Sequence, residues 1–148
     1  GGDIDTFDQW IESLTNIVNT DAIAGHLVSK SLEAKPSSVR RLKEWARAEN
    51  KWRRRAAAVS FVPLVREGRF LTDALSVAEL LLNDHDRVVQ DGVGIMLQEA
   101  SRLQADRVAE FLRVWRHQAS ERTLSVAMEK LTPESRSWVL GSGEGGKL

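Results

Sequence analysis

The stretch Asn50-Lys51-Trp52-Arg53-Arg54-Arg55-Ala56 begins a segment whose apolar residues recur at helical intervals. From Trp52 onward, apolar residues follow three or four positions apart, at Ala56, Val59 and Pro63. Such spacing places side chains on one face of an α-helix, because the helix turns once every ~3.6 residues. The stretch therefore predicts a helix that buries one face. The segments before and after it have apolar residues at the same intervals and predict further helices of this kind.

Helical spacing continues along almost the whole chain, with interruptions near positions 15, 35, 49, 69, 84, 103 and 119. A period of roughly 33 residues relates the helix pairs, which begin near residues 4, 37, 70 and 104. Because one pair cannot bury its apolar face alone, such pairs stack side by side. We therefore predict an all-α fold, a HEAT-like αα superhelix (solenoid) of about four helix pairs with one layer lining a concave surface. A closed eight-helix bundle is the alternative.

The length of the chain sets the number of domains. A chain of 148 residues corresponds to one domain, since domains average roughly 100–200 residues. We assign the HEAT-like domain to residues 3–140 and a flexible tail to residues 141–148, where Gly and Ser dominate. No alternation of apolar and polar residues is long enough to predict a strand.

Composition excludes several classes of site. The chain has no cysteine, which rules out disulfides, Cys-ligated zinc and thiol nucleophiles. Its three histidines share no ligand spacing, and we predict neither a metal nor a cofactor. No apolar run approaches the ~20 residues of a membrane helix, and the first residues are neither basic nor apolar. We therefore expect a cytoplasmic protein without a membrane partner.

Charge is unevenly distributed, although the formal net charge is zero. Residues 35–55 hold nine basic and two acidic side chains, which is a local charge of +7. A patch of this kind neutralises phosphate groups when it faces nucleic acid. It is equally typical of a solvated helix face whose charges pair at i and i+4. The stretch that begins at Asn50 lies inside this patch.

Four stretches of the chain resemble, in order and spacing, the motifs of one protein family. The stretch from Asn50 resembles its Asn-x-Trp-x-x-Arg-x-Ala motif, and residues 16–24 resemble its Asn-Trp-x-x-x-Asp-x-x-Ala helix. Residues 89–99 resemble its Val-Gln-x-x-x-Gly-Trp-x-Leu-Arg-Glu helix, and residues 127–134 its closing Ala-x-Glu-Lys-Leu-x-Pro-Glu. The family is the DNA alkylation repair family of AlkD-like, HEAT-repeat DNA glycosylases, and the resemblance spans roughly residues 7–139.

The resemblance implies a fold, an activity and a set of site residues. A family member wraps double-stranded DNA in a concave groove and hydrolyses the N-glycosidic bond of cationic N3- or N7-alkylated purines without flipping the base into a pocket. Its catalytic Asp corresponds to Asp21 and its groove Arg to Arg55. Its two lesion-contacting Trp correspond to Ile17 and Ile95, and the Arg after the second Trp corresponds to Gln98.

One carboxylate is enough for this chemistry. An N3- or N7-alkylated purine is already cationic and leaves without protonation, so positive charge develops on the sugar and a single carboxylate can stabilise it. Asp21 fits that role; a solvated or helix-capping Asp is the alternative. Arg55 suits phosphate through its planar fork of donors, or it is an exposed helix residue. The other predicted DNA contacts are Lys51, Arg53, Arg54, Gln90 and Gln98.

The chain departs from the family pattern at both Trp positions. A Trp face attracts a cationic base by about 0.5–2 kcal/mol, whereas Ile17 and Ile95 offer apolar contact alone. The sequence therefore leaves open whether DNA binding is accompanied by excision of these lesions. The alternative from another class is a non-enzymatic HEAT-like solenoid whose concave face binds a protein partner.

Two further features carry open alternatives. Gly92 and Gly94 lie inside a predicted helix, where they permit either close helix packing or close approach of the backbone to DNA. The resemblance also places the start of this chain at the family's third helix pair. We therefore expect either a homodimer through an exposed first repeat, or Phe7 and Trp10 packed on the second helix.

Overall fold

The computed structural model describes residues 4–12 and 16–141, and within residues 4–12 it describes the side chains of residues 4–7 and 10. The described residues are helical apart from short turns, and no strand occurs among them, which confirms the all-α prediction. The helices are α1 (Ile4–Glu12), α2 (Ile17–Ala22), α3 (Ser29–Ala34), α4 (Val39–Trp45), α5 (Lys51–Val59), α6 (Val62–Arg66), α7 (Leu71–Leu81), α8 (Arg87–Trp115), α9 (Glu121–Ala127) and α10 (Pro133–Leu140).

Non-α backbone joins or bends some of these helices. A π-helical segment, Ile23–Val28, connects α2 to α3 without a break, and a 3₁₀ turn, Pro36–Ser38, leads into α4. Within α8, Gln104 has φ −132° and ψ 49°, so α8 consists of two helical parts that meet at this residue. This interruption lies beside the predicted break near residue 103. The predicted break near residue 15 lies outside the described residues.

The helices alternate between two layers. We call one of them the inner layer. It is formed, in packing order, by α2 with α3, α5 with α6, the part of α8 before Gln104, and α9. The second layer consists of α1, α4, α7 and the later part of α8, and α10 packs on α8. Because neighbours in the chain are neighbours in space, the array is an α-solenoid-like stack, as the period of the sequence predicts.

Each inner-layer unit begins at a side chain that caps its first turn. The Asn16 and Asn50 side chains accept backbone N–H groups of α2 and α5, and Asp86 and Ser120 do the same for α8 and α9. Such a cap stabilises a helix by about 1 kcal/mol. The four caps therefore fix the residues at which these inner helices begin.

Polar contacts between neighbouring inner helices reproduce the period. Arg55 donates to Asp21, 34 residues earlier, and to the carbonyl of Val88, 33 residues later. The Thr123 hydroxyl donates to the carbonyl of Gln90, again over 33 residues. The repeat of roughly 33 residues is thus visible as a ladder of hydrogen bonds across the stack.

Apolar side chains fill the space between the two layers. Burying one large aliphatic or aromatic side chain stabilises the fold by about 1.5–3 kcal/mol. The largest fully buried side chains are Val28, Leu32, Leu42, Trp45, Phe61, Leu64, Leu81, Leu82, Met96, Leu97 and Leu112.

The described chain ends just after α10, where Gly141 takes a positive φ of 71°. Residues 142–148 of the predicted tail lie outside the described residues, so the domain limits stay a prediction. The homodimer also stays a prediction; Phe7 is buried in the core whereas Trp10 is exposed. None of the helices in residues 4–12 and 16–141 combines the length and the apolar character that a membrane span requires.

Candidate nucleic-acid interface

Asp21 and Arg55 meet across two neighbouring helices of the inner layer. Arg55 Nε donates to Asp21 Oδ1 at 2.9 Å, and Arg55 Nη2 donates to Asp21 Oδ2 at 2.8 Å. The Arg55 side chain is 4% exposed, whereas the Asp21 side chain is 33% exposed. A buried guanidinium therefore holds both oxygens of a carboxylate that still reaches solvent, and this bidentate geometry fixes the plane of the carboxylate.

The third nitrogen of the Arg55 guanidinium points to the next helix. Arg55 Nη1 donates to the carbonyl oxygen of Val88, in the first turn of α8, at 2.7 Å. One guanidinium thus joins α2, α5 and α8, which are three successive members of the inner layer. A direct phosphate contact by Arg55 requires these bonds to be exchanged, so in this structure Arg55 orients Asp21.

The backbone around Asp21 changes type just after it. Thr20 and Ala24 are fully buried, Ala22 is exposed, and Asp21 lies at the boundary between the two environments. The π-helical segment begins at the second residue after Asp21. Single π-helical turns inside α-helices are frequent at functional sites, and this one begins two residues after Asp21.

Two exposed isoleucines lie on the inner layer. Ile17, which is 40% exposed, precedes Asp21 by one helical turn on the same face of α2. Ile95, which is 37% exposed, lies on α8 between Asp91 and Gln98, whose side chains both contact α9. The two positions at which the family pattern has Trp therefore carry solvent-facing apolar side chains.

The basic residues of α5 differ in what they contact. Arg54 donates to the Asp84 carboxylate at 2.8 Å and to the carbonyl oxygens of Ala48 and Glu49, so it ties α5 to the turns beside it. Arg53 is half-buried, and Lys51 is 46% exposed with its Nζ 3.9 Å from an Asp86 oxygen. Part of the basic patch inferred from the sequence is therefore engaged in contacts within the protein. Lys51 is its solvent-exposed residue on α5.

The two glutamines predicted to contact DNA are also engaged with the protein. Gln90 Nε2 donates to the carbonyl of Asp84 at 2.7 Å. Gln98 Nε2 donates to the carbonyl of Val126 at 3.0 Å and to a Glu129 carboxylate oxygen at 2.9 Å. Both side chains are half-buried; Gln90 holds the turn before α8, and Gln98 joins α8 to α9.

Charges of both signs meet around α9. Asp91 of α8 accepts hydrogen bonds from Arg122 of α9, and this contact raises the pKa of the Arg122 guanidinium above its ordinary value. Glu121 of α9 and Glu129, which follows α9, are exposed, but Arg122 and Lys130 lie beside them in the sequence. The charge around α9 is therefore balanced, whereas residues 35–55, which include most of α5, carry a local charge of +7. This difference favours DNA contact at the α2–α5–α8 end of the inner layer.

Both glycines of α8 permit close packing, the first of the two readings that the sequence leaves open. A Cβ atom built on Gly94 would lie 2.7 Å from Val126 Cβ of α9. A Cβ atom built on Gly92 would lie 2.9 Å from Arg55 Cγ.

Among the described side chains, no three potential metal-binding groups converge.

Some site features carry no signal in the sequence. The Val88 carbonyl is a backbone group, so the residue types in the sequence do not predict its hydrogen bond with Arg55. Asp84 and Asp91 do have a signal, because each lies about one repeat from its arginine partner, Arg54 or Arg122. A search for opposite charges one period apart would have found both pairs.

Comparison with known proteins agrees with this architecture. The sequence profile of the DNA alkylation repair enzyme family matches residues 2–131, which is most of the chain. A search of curated proteins gave no match. Because the family profile covers the four inner-layer segments and the pair formed by Asp21 and Arg55, the chain belongs to the DNA alkylation repair enzyme family.

Proposed function

We propose that this protein binds double-stranded DNA along its inner layer and hydrolyses the N-glycosidic bond of cationic N3- or N7-alkylated purines. The four helix pairs are, in this proposal, HEAT-like repeats, and Asp21 is the catalytic residue. The observation that carries the proposal is the Asp21 carboxylate, which reaches solvent while the buried Arg55 guanidinium holds both of its oxygens. The family membership supports the DNA repair role.

The chemistry requires little beyond a fixed negative charge. The C1′–N bond breaks and its electron pair stays on the base, which leaves as a neutral alkylpurine. Positive charge develops on the sugar, where the Asp21 carboxylate stabilises it and orients a water molecule. Water then adds to C1′ and releases a proton, so one abasic site and one free base are formed.

Arg55 acts through Asp21 in this scheme. Donors and charges that are already oriented before the reaction cost no reorganisation during it. The bidentate contact removes the rotational freedom of the Asp21 carboxylate, and the bond to the Val88 carbonyl removes that of the guanidinium. Arg55 is therefore a positioning residue, and its charge also balances that of the carboxylate before DNA arrives.

The proposed DNA contacts differ in accessibility. Lys51 is the open cation on α5, at the end of the inner layer that carries Asp21. Ile17 and Ile95 are proposed to contact the lesion nucleotide through apolar surface, without the attraction of an aromatic face for a cationic base. Further proposed contacts are made by Arg53, Arg54, Arg55, Gln90 and Gln98, and those of the last four require exchange of the protein hydrogen bonds described above.

A second candidate function rests on how the predicted DNA contacts are engaged. Arg54, Arg55 and Gln98 donate hydrogen bonds to groups of the protein itself, which leaves fewer donors for phosphate. A non-enzymatic solenoid that binds a protein partner is therefore the alternative. It predicts neither DNA binding nor base release.

The proposed function is tested with a DNA duplex that contains a single 7-methylguanine. With protein in large excess, we expect free 7-methylguanine to appear, together with an abasic site that hot alkali cleaves. The matched control is the same duplex with unmodified guanine, which should stay intact because its base leaves only after protonation. Release no faster than in the absence of protein would contradict the enzymatic proposal.

A further inference from the structure

The Arg55 side chain lies directly against α8 at Gly92. A Cβ atom at position 92 would lie 2.9 Å from Arg55 Cγ and 3.5 Å from Arg55 Nη1. Carbon atoms essentially never pack at 2.9 Å. Cγ is near the backbone end of the side chain, so moving it carries the whole guanidinium away from its partners.

Nothing in the backbone at position 92 calls for glycine. The described glycines with positive φ are Gly68 and Gly141, and Gly92 lies inside α8 with helical geometry. Glycine is less favourable than alanine in the interior of a helix. The missing side chain at position 92 is therefore used by its neighbour Arg55, which occupies the space that a Cβ atom would fill.

The second glycine of α8 provides a contrast. A Cβ atom at Gly94 would lie 2.7 Å from Val126 Cβ and 3.2 Å from the Thr123 carbonyl oxygen, both of α9. Gly94 thus serves the packing of α8 on α9. Gly92 serves Arg55, with Val59 Cγ2 as a looser neighbour at 3.3 Å.

We propose that Gly92 is a positioning residue for the Asp21 carboxylate. It lets Arg55 lie flat on α8, where Nη1 reaches the Val88 carbonyl while Nε and Nη2 hold Asp21. A side chain at position 92 pushes the guanidinium off α8, and the Asp21 carboxylate loses its fixed orientation. The catalytic consequence rests on the proposed function; the structural consequence does not.

The structural consequence is tested by thermal unfolding of G92A, R55A and the double variant. In the wild-type background, G92A should lower Tm by several degrees, because it displaces Arg55. In the R55A background, G92A should raise Tm, because alanine favours the helix and Val59 can move by a few tenths of an ångström. The matched control G94A should lower Tm by similar amounts in both backgrounds. An equal fall of Tm for G92A in both backgrounds would overturn the proposal.

The catalytic consequence is tested by the release of 7-methylguanine under single-turnover conditions. We expect G92A to slow release by about 100-fold, as displacement of a positioned group by 1 Å can, while the Kd for DNA changes less than about threefold. A purely structural role for Gly92 would instead change both in parallel or neither, and that result would overturn the positioning role. If the wild type releases no base, the proposed function fails. The Tm values of G92A, R55A and the double variant then decide by themselves whether Gly92 positions Arg55.

Discussion

Replacement of Asp21 by asparagine is expected to slow the release of 7-methylguanine by roughly 100- to 10,000-fold. Asparagine keeps the size of the side chain but removes the charge that stabilises the sugar cation. It also gives Arg55 a neutral partner, so the fold is weakened, and rates should be compared at a temperature where circular dichroism shows both proteins fully folded. The measurement is the single-turnover rate on the duplex with one 7-methylguanine.

The matched control for this substitution is Asp91→Asn. Asp91 also pairs with an arginine of the next inner helix, Arg122, and its side chain is likewise half-buried. D91N therefore removes the same charge from a second pair between inner helices, whose arginine is 40% exposed, without touching Asp21. If D91N slows release as much as D21N, loss of the ion pair explains the effect, and Asp21 has no special role.

The double variant I17W/I95W is expected to increase affinity for DNA that contains 7-methylguanine by about fivefold to several hundredfold. Each Trp face attracts a cationic base by about 0.5–2 kcal/mol, and the Ile side chains that it replaces are exposed on the inner layer. The measurement is the Kd for the methylated duplex relative to the unmodified duplex.

The control for the Trp variant is I17L/I95L, which keeps apolar surface without an aromatic face. It should leave the ratio of the two Kd values unchanged. An equal gain for Trp and Leu, or a gain for Trp that is the same on unmodified DNA, would show that positions 17 and 95 do not contact the cationic base.

Helix periodicity predicted most of the fold because it is a local property of the sequence. The break expected near residue 103 lies beside Gln104, whose backbone is not helical. The break expected near residue 119 lies beside Ser120, the cap of α9. The period of roughly 33 residues then placed the residues of neighbouring repeats side by side, which is how Asp21 comes to contact Arg55.

What the sequence could not predict depends on tertiary placement. A run of three arginines predicts phosphate binding, yet Arg54 and Arg55 donate to carboxylates and carbonyls that only the folded chain brings within reach. No residue pattern in the sequence predicts the π-helical segment after Asp21. The two readings of Gly92 could not be separated either, because its neighbour Arg55 is far away in the sequence.

We propose that DNA lies on the inner layer beside Asp21, and a disulfide crosslink tests this placement most directly. The chain has no cysteine, so one introduced thiol is unique. I17C places that thiol one helical turn from Asp21, whereas V114C places it in the later part of α8, on the second layer, where Val114 is 71% exposed. Each variant is mixed with a duplex that carries a disulfide-activated tether at one nucleotide. We expect crosslinking of the I17C variant and none of the V114C variant; equal crosslinking of both, or crosslinking of V114C alone, would contradict DNA binding beside Asp21.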